Sequence, residues 1–209
     1  ELNLLDGKAA TNLALIGKVE GTNFTNSLLV GHATTGTLSS ADNNTGVGTT
    51  ALSSLTSGDK NTAVGNGAGY AITTGSLNTA MGRNSLRFVS TGTGNTSVGH
   101  AALSAESTNM QYNTAFGDNS LQATTGNYNI GIGRNSGVNI TTGTGNVIIG
   151  QVNADAVDST RTLKIAGNDG STTTTWISGD SSGNLVTPGT ITANGVVLGG
   201  GGLAWQTIV

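Results

Sequence analysis

One short phrase recurs in register along most of the chain, and a fixed period of this size leaves few architectures open. It reads Asn44-Thr45-Gly46-Val47-Gly48, Asn61-Thr62-Ala63-Val64-Gly65, Asn78-Thr79-Ala80-Met81-Gly82, Asn95-Thr96-Ser97-Val98-Gly99 and Asn113-Thr114-Ala115-Phe116-Gly117. Looser copies stand at Asn129-Ile130-Gly131-Ile132-Gly133 and Asn146-Val147-Ile148-Ile149-Gly150, and one lies upstream at Ser27-Leu28-Leu29-Val30-Gly31. Successive copies start 17, 17, 17, 17, 18, 16 and 17 residues apart, so the long and short intervals cancel and the register survives. Such a period marks a stack of like units, each burying its apolar face on the next.

We number each repeat from its first residue as offset zero. Offset three is always large and apolar: Val30, Val47, Val64, Met81, Val98, Phe116, Ile132 and Ile149. Offset two is small in most copies, and offset four is always Gly. Side chains alternate between the two faces of a strand. Offsets one and three therefore share a bulky face, and offsets zero, two and four share a tiny one. Further on, offset seven is usually Ala or Ser, offset eight is Leu at Leu52, Leu86, Leu103 and Leu121, and offsets twelve and thirteen carry hydroxyls that a Gly often follows. This predicts an all-β chain in which each repeat is one coil of two short strands and two tight turns. Parallel coils stack at about 4.8 Å, so the seven steps between eight starts give a rod of about 34 Å.

Two consequences follow from stacking like on like. The offset-zero residues Asn44, Asn61, Asn78, Asn95, Asn113, Asn129 and Asn146 form an amide ladder. A coil of 17 residues also encloses little space, which suits the small residues at offsets two and seven but leaves the offset-three ridge and the Leu column outside. A continuous apolar stripe is rare on a soluble monomer, so the pattern calls for self-association.

Composition decides between order and disorder. Gly makes up 34 of 209 residues and charged residues only 9%, which could suit a linker. Disorder, however, goes with low hydrophobicity and high net charge. Here the net charge is −3 and Val, Ile and Leu recur at fixed positions, so Gly and Asn read as turn residues of an ordered solenoid. There is no Cys, hence no disulfide framework or thiolate metal site. Thinly spread charge gives no basic patch, so nucleic acid is not an expected partner, and no apolar run suits membrane insertion.

The repeats span 27–150. Residues 1–26 read as an N-terminal lead-in or cap with apolar Leu2, Leu4, Leu5, Leu13, Leu15 and Ile16. Residues 151–209 read as a module of β-hairpins, with strand-like runs separated by turn signals such as Gly167-Asn168-Asp169-Gly170 and Pro188-Gly189, and with a joint at Gly199–Gly202. Starting at Glu1 and stopping at Val209 in a strand-like run, the chain reads as a segment of a longer polypeptide.

The phrase Asn-Thr-Ala-Val-Gly-x-x-Ala-Leu followed by Thr-Thr-Gly resembles the head repeat of trimeric autotransporter adhesins. It resembles still more the related repeats in tail fibres of bacteriophages, notably of marine type. Glu1-Leu2-Asn3-Leu4-Leu5-Asp6-Gly7 and Ala204-Trp205-Gln206-Thr207 are similar to linker and domain-opening phrases of the same fibres. The resemblance covers about 27–150. It implies a left-handed parallel β-roll, a homotrimer with the offset-three ridge at its core, and a structural role in a virion fibre outside the cell. Fibre or virion proteins and a host-surface receptor, with a glycan as one candidate class, would be the partners. A bacterial trimeric surface adhesin head is the alternative. It is less favoured because the period is longer than its usual coil and no coiled-coil stalk or membrane-anchor region is present.

Side-chain chemistry points the same way. His32 and His100 both fall at offset five, in a polar column with Thr49, Asn66, Arg83, Asp118, Arg134 and Gln151 that faces solvent. Asp169-Gly170 and Asp180-Ser181-Ser182-Gly183 lack the later acidic ligand of a calcium loop and read as turns. Glu occurs only at positions 1, 20 and 106, so paired carboxylates for glycoside hydrolysis have no candidates. No catalytic residue, metal site or cofactor is expected. Ice binding through the hydroxyl ladder is a second alternative, but those hydroxyls adjoin a turn Gly and capping the turn accounts for them. Among the few aromatics, Tyr112 and Tyr128 both stand just before a repeat Asn on successive coils, which makes the pair the candidate glycan contact.

Overall fold

In the computed structural model, residues 17–21, 23–31, 35–107, 109–189, 192–193 and 196–197 are described. The apolar residues expected to cap the N-terminus, His32, the Gly199–Gly202 joint and the Ala204–Thr207 phrase lie outside them. The strands are β1 (Gly17–Gly21), β2 (Phe24–Val30), β3 (Thr45–Val47), β4 (Thr62–Val64), β5 (Thr79–Met81), β6 (Thr96–Val98), β7 (Thr114–Phe116), β8 (Ile130–Ile132), β9 (Val147–Ile149), β10 (Leu163–Asn168), β11 (Thr173–Gly179), β12 (Leu185–Val186), β13 (Thr192–Ala193) and β14 (Val196–Val197). The described residues are all-β, with no helix, and form a β-solenoid of about eight parallel coils.

Each repeat contributes one three-residue strand, at offsets one to three. Thr45 pairs with Thr62, Thr62 with Thr79 and Thr79 with Thr96, so like residues stand over like in a parallel ladder. The ladder crosses the irregular intervals without slipping, with Thr96 opposite Thr114 and Thr114 opposite Ile130. In the long repeat, Met110 supplies the carbonyl that accepts from Asn95, a role Gly75 and Gly92 fill in neighbouring coils, and its side chain is buried. The extra residue is therefore absorbed in the turn region between Leu103 and Met110.

Among the described residues the expected second strand is absent. Its place is taken by overlapping turns, because positive φ recurs at offsets four, six and eight, for example Gly82 at 129°, Asn84 at 57° and Leu86 at 51°. This alternation divides the amides between two tasks. Ala68, Tyr70 and Ile72 donate within the coil, to Gly65, Gly67 and Gly69, while Gly69 and Ala71 donate to Ser85 and Arg87 of the next coil. The turn side is thus also bonded along the rod, without a ladder of extended strands.

The same backbone corrects the expected position of the Leu column. Leu52, Leu86, Leu103 and Leu121 are fully buried inside the coils, not outside. In a strand, offsets seven and eight would face opposite ways. With φ in the left-handed region at offset eight, both turn inward, and the small residues at offset two leave the Leu side chains room. Where offset eight is Gly, a larger residue fills the gap from offset eleven: Ile72 beside Gly69 and Ile140 beside Gly137. The core is one continuous column running from Phe24 to Ala154.

Both ends of that column are covered. β1 pairs antiparallel with β2, and Phe24 sits fully buried over the first coil. At the other end, Ala154 is buried while its backbone exchanges two hydrogen bonds with the Asn139 side chain. β10 continues the parallel ladder from β9 and pairs antiparallel with β11 on its far edge. The change of sheet type therefore occurs at one strand, and β12 extends the hairpin. The strands expected in 151–209 appear close to their expected positions, but β10 to β12 belong to the solenoid's own sheet.

Candidate functional site

Three exposed features lie on this scaffold. The first is the outer face of the parallel sheet, which carries Val30, Val47, Val64, Met81, Val98, Phe116, Ile132 and Ile149. Phe116 is 58% exposed and Met81 43%, although both are large and apolar. Alternation along each strand forces this outcome, since offset two points into the coil and offsets one and three must point out. The ridge continues past the repeats, for Ile149 pairs with Ile165 and Ile165 with Ile177.

The opposite face of the same strands holds the amide ladder. Asn44, Asn61, Asn78, Asn95, Asn113, Asn129 and Asn146 are all buried. Each later Asn sends both its backbone N–H and its side-chain Nδ2–H to the Oδ1 of the Asn before it, as Asn129 does to Asn113 at 2.9 and 3.2 Å. The second Nδ2–H goes to a carbonyl of the same coil, Gly143 in that case. The ladder starts on the Ser27 hydroxyl, which accepts from the Asn44 N–H, and ends where Thr162 donates its N–H and hydroxyl to Asn146 Oδ1. These asparagines are the internal spine of the rod, not a surface for ligands.

The second exposed feature is the column formed by the residue just before each rung of the amide ladder or its terminal Thr162. It runs through Lys60, Leu77, Gly94, Tyr112, Tyr128, Gly145 and Arg161, all with positive φ, which turns their side chains off the rod. Tyr112 and Tyr128 stack with ring centroids 5.3 Å apart and planes 16° from parallel. Tyr112 leans over Gly94, where an added Cβ would lie 2.7 Å from Cδ1 of the ring. The two tyrosines are 49% and 57% exposed, so they form a flat aromatic platform open to solvent. Beyond Gly145, a shallow cavity of about 250 Å³ opens between the last coil and the β11–β12 turn. Arg161, Thr162, Asp180 and Asn184 line it.

The third feature is the offset-five column. His100 Nδ1 lies 2.9 Å from Asp118 Oδ1, Arg83 Nη1 approaches His100 Nε2 at 3.4 Å, and Arg134 Nε stands 3.7 Å from Asp118 Oδ2. Coil stacking thus builds an exposed chain of four alternating polar groups from residues far apart in sequence. Among the described residues no three metal-ligating side chains converge.

Threonine hydroxyls at offset twelve are engaged along the rod. Thr56, Thr73 and Thr141 donate to carbonyls of the following coil at 3.0, 3.1 and 3.2 Å. Asp169 and Asp180 organise turns, as their sequence contexts suggested. Asp169 Oδ1 accepts from the N–H groups of Ser171 and Thr172, and Asp180 accepts from the Asn184 side chain and from the backbone of Ser182 and Asn184. The Thr172 amide, ahead of Ser171, holds the Asp169 carboxyl below its ordinary range, and the Asn184 side chain does the same for Asp180. Arg161 was passed over in the sequence. The signal was nonetheless present: Arg161 precedes Thr162 as Tyr128 precedes Asn129, so the register carried one step further reaches it.

No family model matches the chain, and neither the curated proteins nor the solved structures contain a match to it.

Proposed function

We propose that this chain is a rigid, non-enzymatic segment of a bacteriophage-type fibre, a left-handed β-roll of 17-residue coils that assembles as a homotrimer and supports attachment to a host surface. The observation that carries the reading is the apolar ridge from Val30 to Ile149, exposed at Val47, Met81, Phe116 and Ile132 and half-buried at the other four, on a rod whose own core is already filled. Among the described residues nothing covers that ridge at Val47, Met81, Phe116 and Ile132. A second copy in register repeats its side chains at the same spacing along the whole rod, so copies of this chain are the occupants that match it. Three ridges around one axis would place Phe116, Met81 and their equivalents in a shared core, with Tyr112 and Tyr128 as candidate contacts for a surface glycan. The sequence resemblance supplies the fibre context, and the hydrogen-bonded spine supplies the stiffness a shaft requires.

Light scattering on the purified chain tests the assembly, with three chain masses as the expected result and one chain mass as the result that removes the reading. Val64→Asp places three carboxylates around the axis and is expected to leave folded single chains, because burying unpaired charge is costly. Trimers of that variant with unchanged melting would mean that the ridge faces elsewhere.

A further inference from the structure

The tyrosine platform and the cavity beside it share one column, and their chemistry is specific. Gly94 makes room for Tyr112, and Tyr112 covers one face of Tyr128. The next residue in the column is Gly145, which has no side chain to cover the other face. One step later comes Arg161, whose stem leans back over Gly145: a Cβ added there would lie 3.2 Å from Arg161 Cγ. Tyr128 and Arg161 thus stand two strand spacings apart in the column, about 9–10 Å, with only Gly145 and the Arg161 stem that leans over it between them.

Arg161 and Asp180, the two charged groups that line this cavity, differ in their partners. The Asp180 carboxylate is occupied by Ser182 and Asn184 of its own turn. Among the described residues Arg161 forms no ion pair. The cavity of about 250 Å³, lined also by Val147, Leu163 and Leu185, thus holds a guanidinium without an ion pair, and it begins at Gly145, the step that follows the exposed Tyr128 in the column. An aromatic face takes the apolar C–H face of a pyranose ring. A free guanidinium takes a carboxylate with two parallel hydrogen bonds. We infer that Tyr128, Gly145 and Arg161 form a binding site for acidic saccharides, with the sugar ring stacked on Tyr128 over the Gly145 step and its carboxylate on Arg161. This rests on the host-attachment reading and gives it a ligand class. Three such sites on one trimer would bind a multivalent surface polymer far more tightly than one site binds one sugar.

The test is binding of the intact protein to an array of uronic- and sialic-acid glycans printed beside their neutral counterparts, with the assembly mass measured on the same sample. Carboxylate-bearing glycans are expected to bind at least tenfold more tightly than the neutral set. Tyr128→Asn keeps a residue that tolerates the left-handed backbone, and Arg161→Gln keeps the stem. Each is expected to weaken binding at least tenfold with no fall in melting temperature. A trimer that binds no acidic glycan above its neutral counterpart overturns this inference and leaves the assembly standing. Acidic-glycan binding that survives both substitutions overturns it as well. A monomer overturns the assembly alone, because the site lies within one chain.

Discussion

Asn95 directs both its backbone N–H and its Nδ2–H at a single atom, Asn78 Oδ1, each across 3.0 Å. Its remaining Nδ2–H reaches the Met110 carbonyl at 2.8 Å, and its own Oδ1 accepts from Asn113. One side chain thus closes its own coil and bonds it to the coils before and after. A hydroxyl is too short to do all three, and a carboxylate lacks the donors. This is why Asn recurs there and why Ser27 and Thr162, which need only one neighbour, stand at the ends.

Replacing Asn95 with Ala leaves the Met110 carbonyl and the Asn113 N–H without partners inside the rod. At roughly 1–3 kcal/mol for each of the two buried groups, the expected loss is about 2–6 kcal/mol. Urea unfolding at fixed protein concentration measures it. Asn95→Asp is expected to be worse, because a carboxylate would face both the Met110 carbonyl and Asn78 Oδ1.

The glycines at offset four answer to two constraints together. Gly82 has φ of 129°, and a Cβ there would lie 2.5 Å from the Gly99 carbonyl oxygen. Gly82→Ala is therefore expected to stop the protein folding or lower its melting temperature sharply. Gly170 has φ of 98° but nothing within 4 Å of a Cβ, so Gly170→Ala bears only the backbone strain, about 1–2 kcal/mol. Equal effects at the two positions would contradict the crowding between coils.

Two leucines with nearly the same backbone should respond in opposite directions. Leu86, with φ of 51°, is fully buried, so Leu86→Ala is expected to cost about 2–5 kcal/mol through the cavity it leaves. Leu77, with φ of 61°, is 55% exposed and has little packing to lose. Leu77→Asn is expected to stabilise the protein by about 0.5–1 kcal/mol, since Asn adopts the left-handed conformation more readily. Thermal unfolding of the two variants checks the sign.

Acid should loosen the C-terminal hairpins first. Asp169 and Asp180 have carboxyl values lowered from the ordinary 3.8, chiefly by the Thr172 amide and the Asn184 side chain respectively. A lowered folded-state value means the contribution is present above the ordinary value and is lost as pH falls through the folded one. The amide resonances of Thr172 and Asn184 are therefore expected to shift as pH falls below about 4. Asp169→Asn should remove the pH dependence at Thr172 alone.

Residues repeated in step carried their own positions in the sequence. Offset two could only be inside and offset three outside, and the Asn ladder followed from stacking, because a strand alternates its side chains whatever surrounds it. The stacked tyrosines followed from the same register. The second side of each coil was not legible in this way. Leu at offset eight suggested a strand residue, since nothing in a Leu signals the left-handed conformation it adopts at positions 52, 86, 103 and 121. That conformation comes from the whole coil. Inter-coil hydrogen bonds and burial of the Leu side chains outweigh a local backbone preference of only about 1–2 kcal/mol per residue. The His100–Asp118 pair and the Arg161 step beside Tyr128 likewise needed the stack, because coils bring together residues 16 to 18 positions apart and only three dimensions set their side-chain geometry.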